Sequence, residues 1–405
     1  MKQAKPQNPK RRFGLTHGRL ILPGAIVTGK AVIVEGAKIL GIADPDSLDS
    51  NTERIDVEGR YICPGLIDIH SHGALGHSFN DAAGKAFACI TKENATRGVT
   101  SLVATISTAP IPDMVECLEF SRQWMDESHE GSQILGLHVE GPYFSMAQKG
   151  AQDPKNIRTP DDGTVDALLE HHYVIRTMSF APELPGALEL TARLARLGIV
   201  PAAGHSSARD EQVEAAIKAG LCHAIHVWSG QSSTVREGPW RKPGLLEATL
   251  VFDELSAEMI SDNKHLPPTL MKLAYKCKGP DRLCVISDAT SGAGMPEGAR
   301  FRMGDMEYEV HDGVGMLLDR TAFAGSTTLL NQMVPILRDV VGVPLAEAIR
   351  MASLTPARIL GVDDRKGSLE AGKDADVAIF ESDFTCWRTM IGGRWVHAAQ
   401  PDSPA

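Results

Sequence analysis

The sequence predicts an α/β protein: a (β/α)8, TIM-like barrel flanked at both chain ends by short β-rich segments. Three observations point there. From Pro64 to about Val362, apolar runs alternate with helical stretches of roughly 10 to 15 residues, the texture of βα units around a parallel sheet. Seven or eight such units in about 300 residues suit a closed barrel better than an open sheet, and no Gly-x-Gly-x-x-Gly follows the first strand. Ionisable residues gather where the apolar runs end, and in such barrels the working groups collect at the C-terminal ends of the strands.

Taken in order, the chain opens on MKQAKPQNPKRR, basic and polar with no long apolar run after it, which predicts a disordered tail over residues 1–12. From Arg19 to Cys63 come short strand-like runs broken by Gly, Asp and Pro (RLILPG, AIVTG, KAVIVEGAKILGI, RIDVEGRYICPG). The alternation then begins: DAAGKAFACITKENATRG precedes TSLVATIS, DMVECLEFSRQWMDES precedes QILGLHVEG, and DALLEHHYV precedes TMSFAPE. GALELTARLARLG precedes IVPAAGHS, ARDEQVEAAIKAG precedes LCHAIHVW, and TLMKLAYKCKG precedes LCVISDA. A β-rich texture returns in KGSLEAGKDADVAIFESDF and TMIGGRWVHA.

Composition excludes several classes. With 43% hydrophobic and 23% charged residues the chain is an ordinary globular one. A net charge of −10 spread along the chain argues against a nucleic-acid surface, and no uncharged apolar run is long enough to span a membrane. Seven scattered cysteines without a Cys-x-x-Cys pair read as reduced thiols in a cytoplasmic protein.

The strand ends carry the chemistry. In CPGLIDIHSHG, alternation along a strand puts Asp68, His70 and His72 on one face, two imidazoles side by side at its end. Glu140 closes ILGLHVEGP, His205 closes IVPAAGHSS, His226 lies near the end of LCHAIHVWSG, and Asp288 closes RLCVISDATSG. Each alone has an ordinary explanation: a lone buried His is commonly a hydrogen-bonded core residue, and an Asp at a strand end is commonly a helix cap. Jointly, four His and two carboxylates at one barrel mouth form a ligand set for a divalent ion such as Zn or Fe. His17, His129, His171, His172 and His311 show no such pattern and read as surface residues. His77 and His223 read as structural, His223 because its odd spacing from His226 sets it on the opposite strand face.

With these residues in hand, the chain resembles the amidohydrolase superfamily and, within it, the N-acetylglucosamine-6-phosphate deacetylase family. The resemblance rests on PGLIDIHSHG, GLHVEGPYFSMAQKGA, PAAGHSSA, the AIHVW run, ISDNKHLPP, VISDATSGAGMPEG, TAFAGSTTL, LTPARILGV and KGSLEAGKDADVAIF, nearly the whole chain in family order. It implies a barrel over 63–365 and a small β-sandwich domain built from 1–62 and 366–405. It also implies roles: Glu140, His205 and His226 for the catalytic metal, His70 and His72 for a second or adjoining position, one or two divalent ions in all. Asp288 is then the catalytic acid and base, and His265 the substrate-binding histidine. The implied substrate is a small amino sugar carrying an N-acetyl group and a phosphate, and the implied assembly a homodimer.

Three departures qualify that resemblance. Gln152, in KGAQ, stands where the family carries a His that assists at the substrate carbonyl; Gln still donates a hydrogen bond but carries no charge. HVWSGQ, with Ser229 and Gly230, replaces the family's sugar-phosphate-binding His-x-x-Asn-Ala-Met. The loop then runs longer before RKPG, in which Arg241 matches the family's phosphate-binding arginine, with Arg236 as its rival. N-acetylgalactosamine-6-phosphate or an unphosphorylated N-acyl sugar is therefore an alternative substrate. A ring-opening cyclic amidohydrolase, whose members bridge two metals with a modified strand-end lysine, is a weaker one, because Glu140 takes that position. A noncatalytic relative would have lost ligands that this chain keeps.

Overall fold

The computed structural model of the protein describes residues 11–399. Eight parallel strands form the barrel: β1 (Leu66–Ser71), β2 (Val99–Ser107), β3 (Gln133–Glu140), β4 (Ile175–Phe180), β5 (Val200–Ala203), β6 (His223–Ala224), β7 (Ser256–Ile260) and β8 (Leu283–Ile286). They neighbour one another in sequence order, as successive right-handed βα units dictate. The ring closes where Asp288 N donates to His70 O at 2.9 Å and Ser71 bridges Ala289. Interior and outward-facing apolar residues of the strands pack with the surrounding helices in one large core.

The chain ends build the β-sandwich. Arg12–Thr16 lies between Ala31–Glu35 and Glu53–Asp56, with Lys38–Ala43 outside, in one sheet. The other runs Arg394–Ala398, Cys386–Ile391, Val377–Phe380, Tyr61–Pro64, Arg19–Leu22 and Ala25–Val27, joining C-terminal to N-terminal strands. Val377–Phe380 shows why its VAIF run is apolar throughout. Val377 and Ile379 enter the sandwich core while Ala378 and Phe380 enter the barrel core, as a period of two requires of a strand covered on both faces.

Several expectations need correction. Arg12 already belongs to the first strand and Arg11 pairs with Glu53 at 2.8 Å, so the predicted tail does not extend through 12; residues 1–10 lie outside the described region. The strand read through LCHAIHVW keeps only His223–Ala224 in the ladder, because His226 turns the backbone to φ 25°. After β8 the chain does not continue directly into helices. It forms an antiparallel meander of Arg300–Met303, Met306–His311, Val314–Leu317 and Phe323–Ser326 around Phe301, Tyr308, Val310 and Ala324.

Candidate metal centre and cavity

The barrel mouth brings four imidazoles onto two carboxylates. His205 Nε2 and His226 Nε2 each stand 3.2 Å from Glu140 Oε1. His72 Nε2 is 3.2 Å from Asp288 Oδ1 and 3.4 Å from Glu140 Oε2. His70 Nε2 is 3.5 Å from Asp288 Oδ1 and 3.6 Å from Glu140 Oε1. All six residues are buried. The ligating atoms of His70, His72 and Glu140 lie within 4.8 Å of one another, as do those of Glu140, His205 and His226. The six strand-end residues singled out by sequence thus converge on one point, with Glu140 shared.

The second nitrogen of each ring decides what the first can do. His205 Nδ1 donates to Gln148 O at 2.8 Å and His226 Nδ1 to Ser229 O at 3.1 Å. A carbonyl only accepts, so each Nδ1 holds a ring proton, and Nε2 is the nitrogen left to face Glu140, as a lone pair in the neutral ring. His70 Nδ1 is likewise set against Glu258 Oε2 at 2.8 Å, and His72 Nδ1 against Ser107 Oγ at 2.9 Å. Lone pairs facing carboxylate oxygens repel unless a cation or protons stand between them. His70 Nε2 is moreover buried without a hydrogen-bond partner. Burial disfavours a charge on His70, yet Glu258, Asp288 and Glu140 outweigh it and push its pKa up to about 10. The electrostatics therefore call for positive charge at this point, and a borderline divalent cation with imidazole and carboxylate ligands fits the donor set.

The local backbone serves this convergence. His205, His226 and Asp288 all have positive φ, 45°, 25° and 47°, uncommon for side chains with a Cβ and concentrated where function over-determines geometry. Gly230, at φ 58°, lets the loop after β6 close over His205: a Cβ there would sit 2.7 Å from His205 Nδ1. Gly325 does the same at Asp288, whose backbone oxygen would lie 2.6 Å from an added Cβ. Burial opposes ionisation of Asp288, but the imidazoles of His70, His72 and His226 hold its carboxyl below the usual range.

Above this floor opens a cavity of about 370 Å³. Gln152, Ser229, Gly230 and His265 line it, as the sequence suggested. Gln152 Oε1 accepts from Thr108 N at 3.1 Å, which turns its amide nitrogen to Glu140 Oε2 at 2.7 Å. His265 Nδ1 is committed to Asp262 Oδ2 at 2.7 Å, leaving Nε2 for a ligand. Arg241 is different: it stands on an exposed hairpin, Val235–Glu237 paired with Trp240–Lys242, and does not line the cavity of its own chain. Its rival Arg236 lies directly across from it in register. Among the described residues lining the cavity there is no Lys or Arg.

Sequence reasoning missed three buried groups and one wall. His138 and Glu258 both contact His70, and Asp262 holds His265. His138 and Glu140 share a face by the alternation already applied to His70 and His72, and Glu258 is a carboxylate inside the apolar run SAEMI, so both signals were present. His223 is buried as expected, but toward Glu258, at 3.2 Å, because the turn at His226 resets the alternation. The missed wall is the meander, whose Met303–Met306 turn and Ala322–Gly325 segment face the cavity.

Residues 61–396 match the amidohydrolase family. The chain is 33% identical over 384 residues to the N-acetylglucosamine-6-phosphate deacetylase of Vibrio furnissii, covering 95% of this chain and 93% of that one. It is 35% identical over 349 residues to the N-acetylgalactosamine-6-phosphate deacetylase of Escherichia coli O157:H7, covering 85% and 89%. Among solved structures, N-acetylglucosamine-6-phosphate deacetylase from Pasteurella multocida superposes with a TM-score of 0.89 at 29% identity, covering 95% of this chain and 99% of that one.

Proposed function

The chain belongs to the amidohydrolase family, and from that premise we propose that it is a metal-dependent deacetylase of an amino sugar phosphate. In this reading N-acetylglucosamine-6-phosphate and water give glucosamine-6-phosphate and acetate. The observation that carries it is the convergence of four imidazole Nε2 atoms on Glu140 and Asp288 beneath a cavity of about 370 Å³, in a chain so similar to sugar-phosphate deacetylases.

Glu140, His205 and His226 would hold one divalent ion, and His70, His72 and Glu140 a second, with Zn or Fe suited to these donors. Such an ion lowers the pKa of water to about 7 and polarises an amide oxygen. Asp288, held ionised by its imidazole neighbours, takes a proton from the attacking water. It returns that proton to the nitrogen as the C–N bond breaks, since an amide anion is too basic to leave. Gln152 gives one N–H to Glu140 and has a second for the acyl oxygen, a donor that does not titrate near neutral pH. His265 Nε2 and the Ser229–Gly230 loop are the groups available to the sugar.

The absence of Lys and Arg from the described cavity lining bears on the phosphate. The exposed pair Arg236 and Arg241 would supply the missing charge from a second copy, and we therefore propose a homodimer in which this hairpin reaches a neighbour's cavity. Two arginines directly opposed in a hairpin repel each other, which an anion between them relieves. We assign the enzyme to the cytoplasm, where its seven cysteines, four of them buried, remain thiols. Among the described residues no helix is long and apolar enough to cross a membrane.

N-acetylgalactosamine-6-phosphate is a second reading, favoured by the 35% identical relative and by the Trp228–Gly230 loop in the cavity wall. Acetate release from both phosphorylated hexosamines and both free sugars, with a chelator control, decides. Turnover of N-acetylglucosamine-6-phosphate above the rest supports the first reading. Turnover of free sugars alone defeats the phosphate assignment, and turnover untouched by chelation defeats the metal.

A further inference from the structure

Glu258 stands on β7, buried and outside the cavity wall, with no part in the chemistry described above. Its carboxylate nevertheless receives three donors from the site: His70 Nδ1 at 2.8 Å and His226 N at 3.3 Å on Oε2, and His223 Nε2 at 3.2 Å on Oε1. We propose that Glu258 is the positioning residue of the second metal position: it fixes the proton of His70 on Nδ1 and so keeps Nε2 a ligand. The proposal rests on the metal-dependent reading.

His72, His205 and His226 rest their Nδ1 atoms on a hydroxyl or a carbonyl, whereas His70 rests on an anion. Carboxylate–imidazole pairs of this kind orient metal ligands and raise their basicity. The rest of the layer locks the pair in place. His223 Nδ1 contacts Ser256 Oγ at 2.7 Å, and the His138 ring meets the His70 ring edge-on at 4.5 Å between centroids. Meanwhile His70 Nε2 has no partner within hydrogen-bonding distance. A glutamine at 258 has one acceptor oxygen for two imidazole donors. Turning its N–H₂ toward His70 would require the opposite tautomer, with a proton on Nε2 where a ligand lone pair is needed.

The test titrates Zn²⁺ into metal-stripped full-length protein against a chromophoric chelator, with metal content measured in parallel. Wild type is expected to take up two equivalents. Glu258→Gln is expected to keep one and to bind the other about 10- to 100-fold more weakly, matching His70→Ala. His223→Ala, which leaves the contact to His70, keeps both. Should Glu258→Gln not be recovered folded by circular dichroism, Glu258→Asp replaces it with the same selective weakening expected. The proposal is overturned by a substituted Glu258 that binds both equivalents as wild type does, or that loses both alike. It is also overturned if His223→Ala loses the second equivalent as deeply, or if wild type takes up only one. A wild type that binds no Zn²⁺ overturns the metal reading itself.

Discussion

Asp288, the proposed acid and base, stands where catalysis and the candidate metal centre would meet: its Oδ1 sits 3.2 Å from His72 Nε2 and 3.5 Å from His70 Nε2 while its side chain lines the cavity. Replacing it with Asn keeps the shape and removes the proton acceptor. Asp288→Asn should retain the metal at Glu140, His205 and His226 yet lose at least about 10²- to 10⁴-fold in kcat, measured by acetate release at matched metal content. Gly230 offers a test of a different kind. An alanine there sets a Cβ 2.7 Å from His205 Nδ1 and 3.1 Å from Gln148 O, the two atoms whose bond orients this ligand. Gly230→Ala should weaken metal binding by about 10- to 100-fold, read by chelator competition; unchanged affinity would show that the loop yields without moving His205.

At the scale of elements, the Gly-Lys-Asp-Ala-Asp stretch of 372–376 has a structural account. Lys366 Nζ, buried, donates to Asp376 Oδ2 at 2.5 Å, and Asp376 Oδ1 accepts from Gly392 N at 2.8 Å. Asp374 meanwhile pairs with Lys38 at 2.9 Å, pinning the C-terminal segment to the N-terminal sheet. Asp376→Ala leaves the buried Lys366 ammonium with only Asp374, at 3.6 Å, as its counter-ion and should cost about 3 kcal/mol, seen in chemical denaturation, while kcat per folded molecule stays near wild type. The hairpin around Trp240 is exposed and contributes nothing to its own cavity. If it serves a neighbouring copy as proposed, Arg241→Ala should raise KM for a phosphorylated substrate by about tenfold or more, the scale of a charge-assisted hydrogen bond. Its thermal stability should not change, and equal KM values would remove this arginine from phosphate binding.

For the molecule as a whole, metal and fold are linked because the cation binds only where the strands bring its ligands together. Removing it would leave the carboxylates of Glu140 and Asp288 buried at the barrel mouth without a compensating cation. Tm should fall on chelation and recover with added Zn²⁺, by about 2.7 kcal/mol of stabilisation at a hundredfold excess over Kd. A Tm indifferent to metal would contradict a site formed by the fold.

Much of this was legible in the sequence, because strand alternation and strand ends are local properties. The apolar runs, the helical stretches between them and the polar residues at their ends set the barrel and named Glu140, His205, His226, His70, His72 and Asp288. The resemblance added the sandwich from both chain ends and pointed to Gln152 and His265, which line the cavity. Other features depend on how separate segments meet. Which way His223 points turned on one positive φ at His226, and the meander wall over the cavity came from a β-rich insertion inside a βα series. Whether Arg241 can reach its own cavity is a question of distance between elements, which spacing along the chain does not measure. Glu258 gains its meaning only from His70, 188 residues away. The sequence by itself determined the residue types and the strand ends that carry them, whereas the tertiary structure alone decided which side chains share a proton, a lone pair or a cavity, because those relations are set by closure of the barrel.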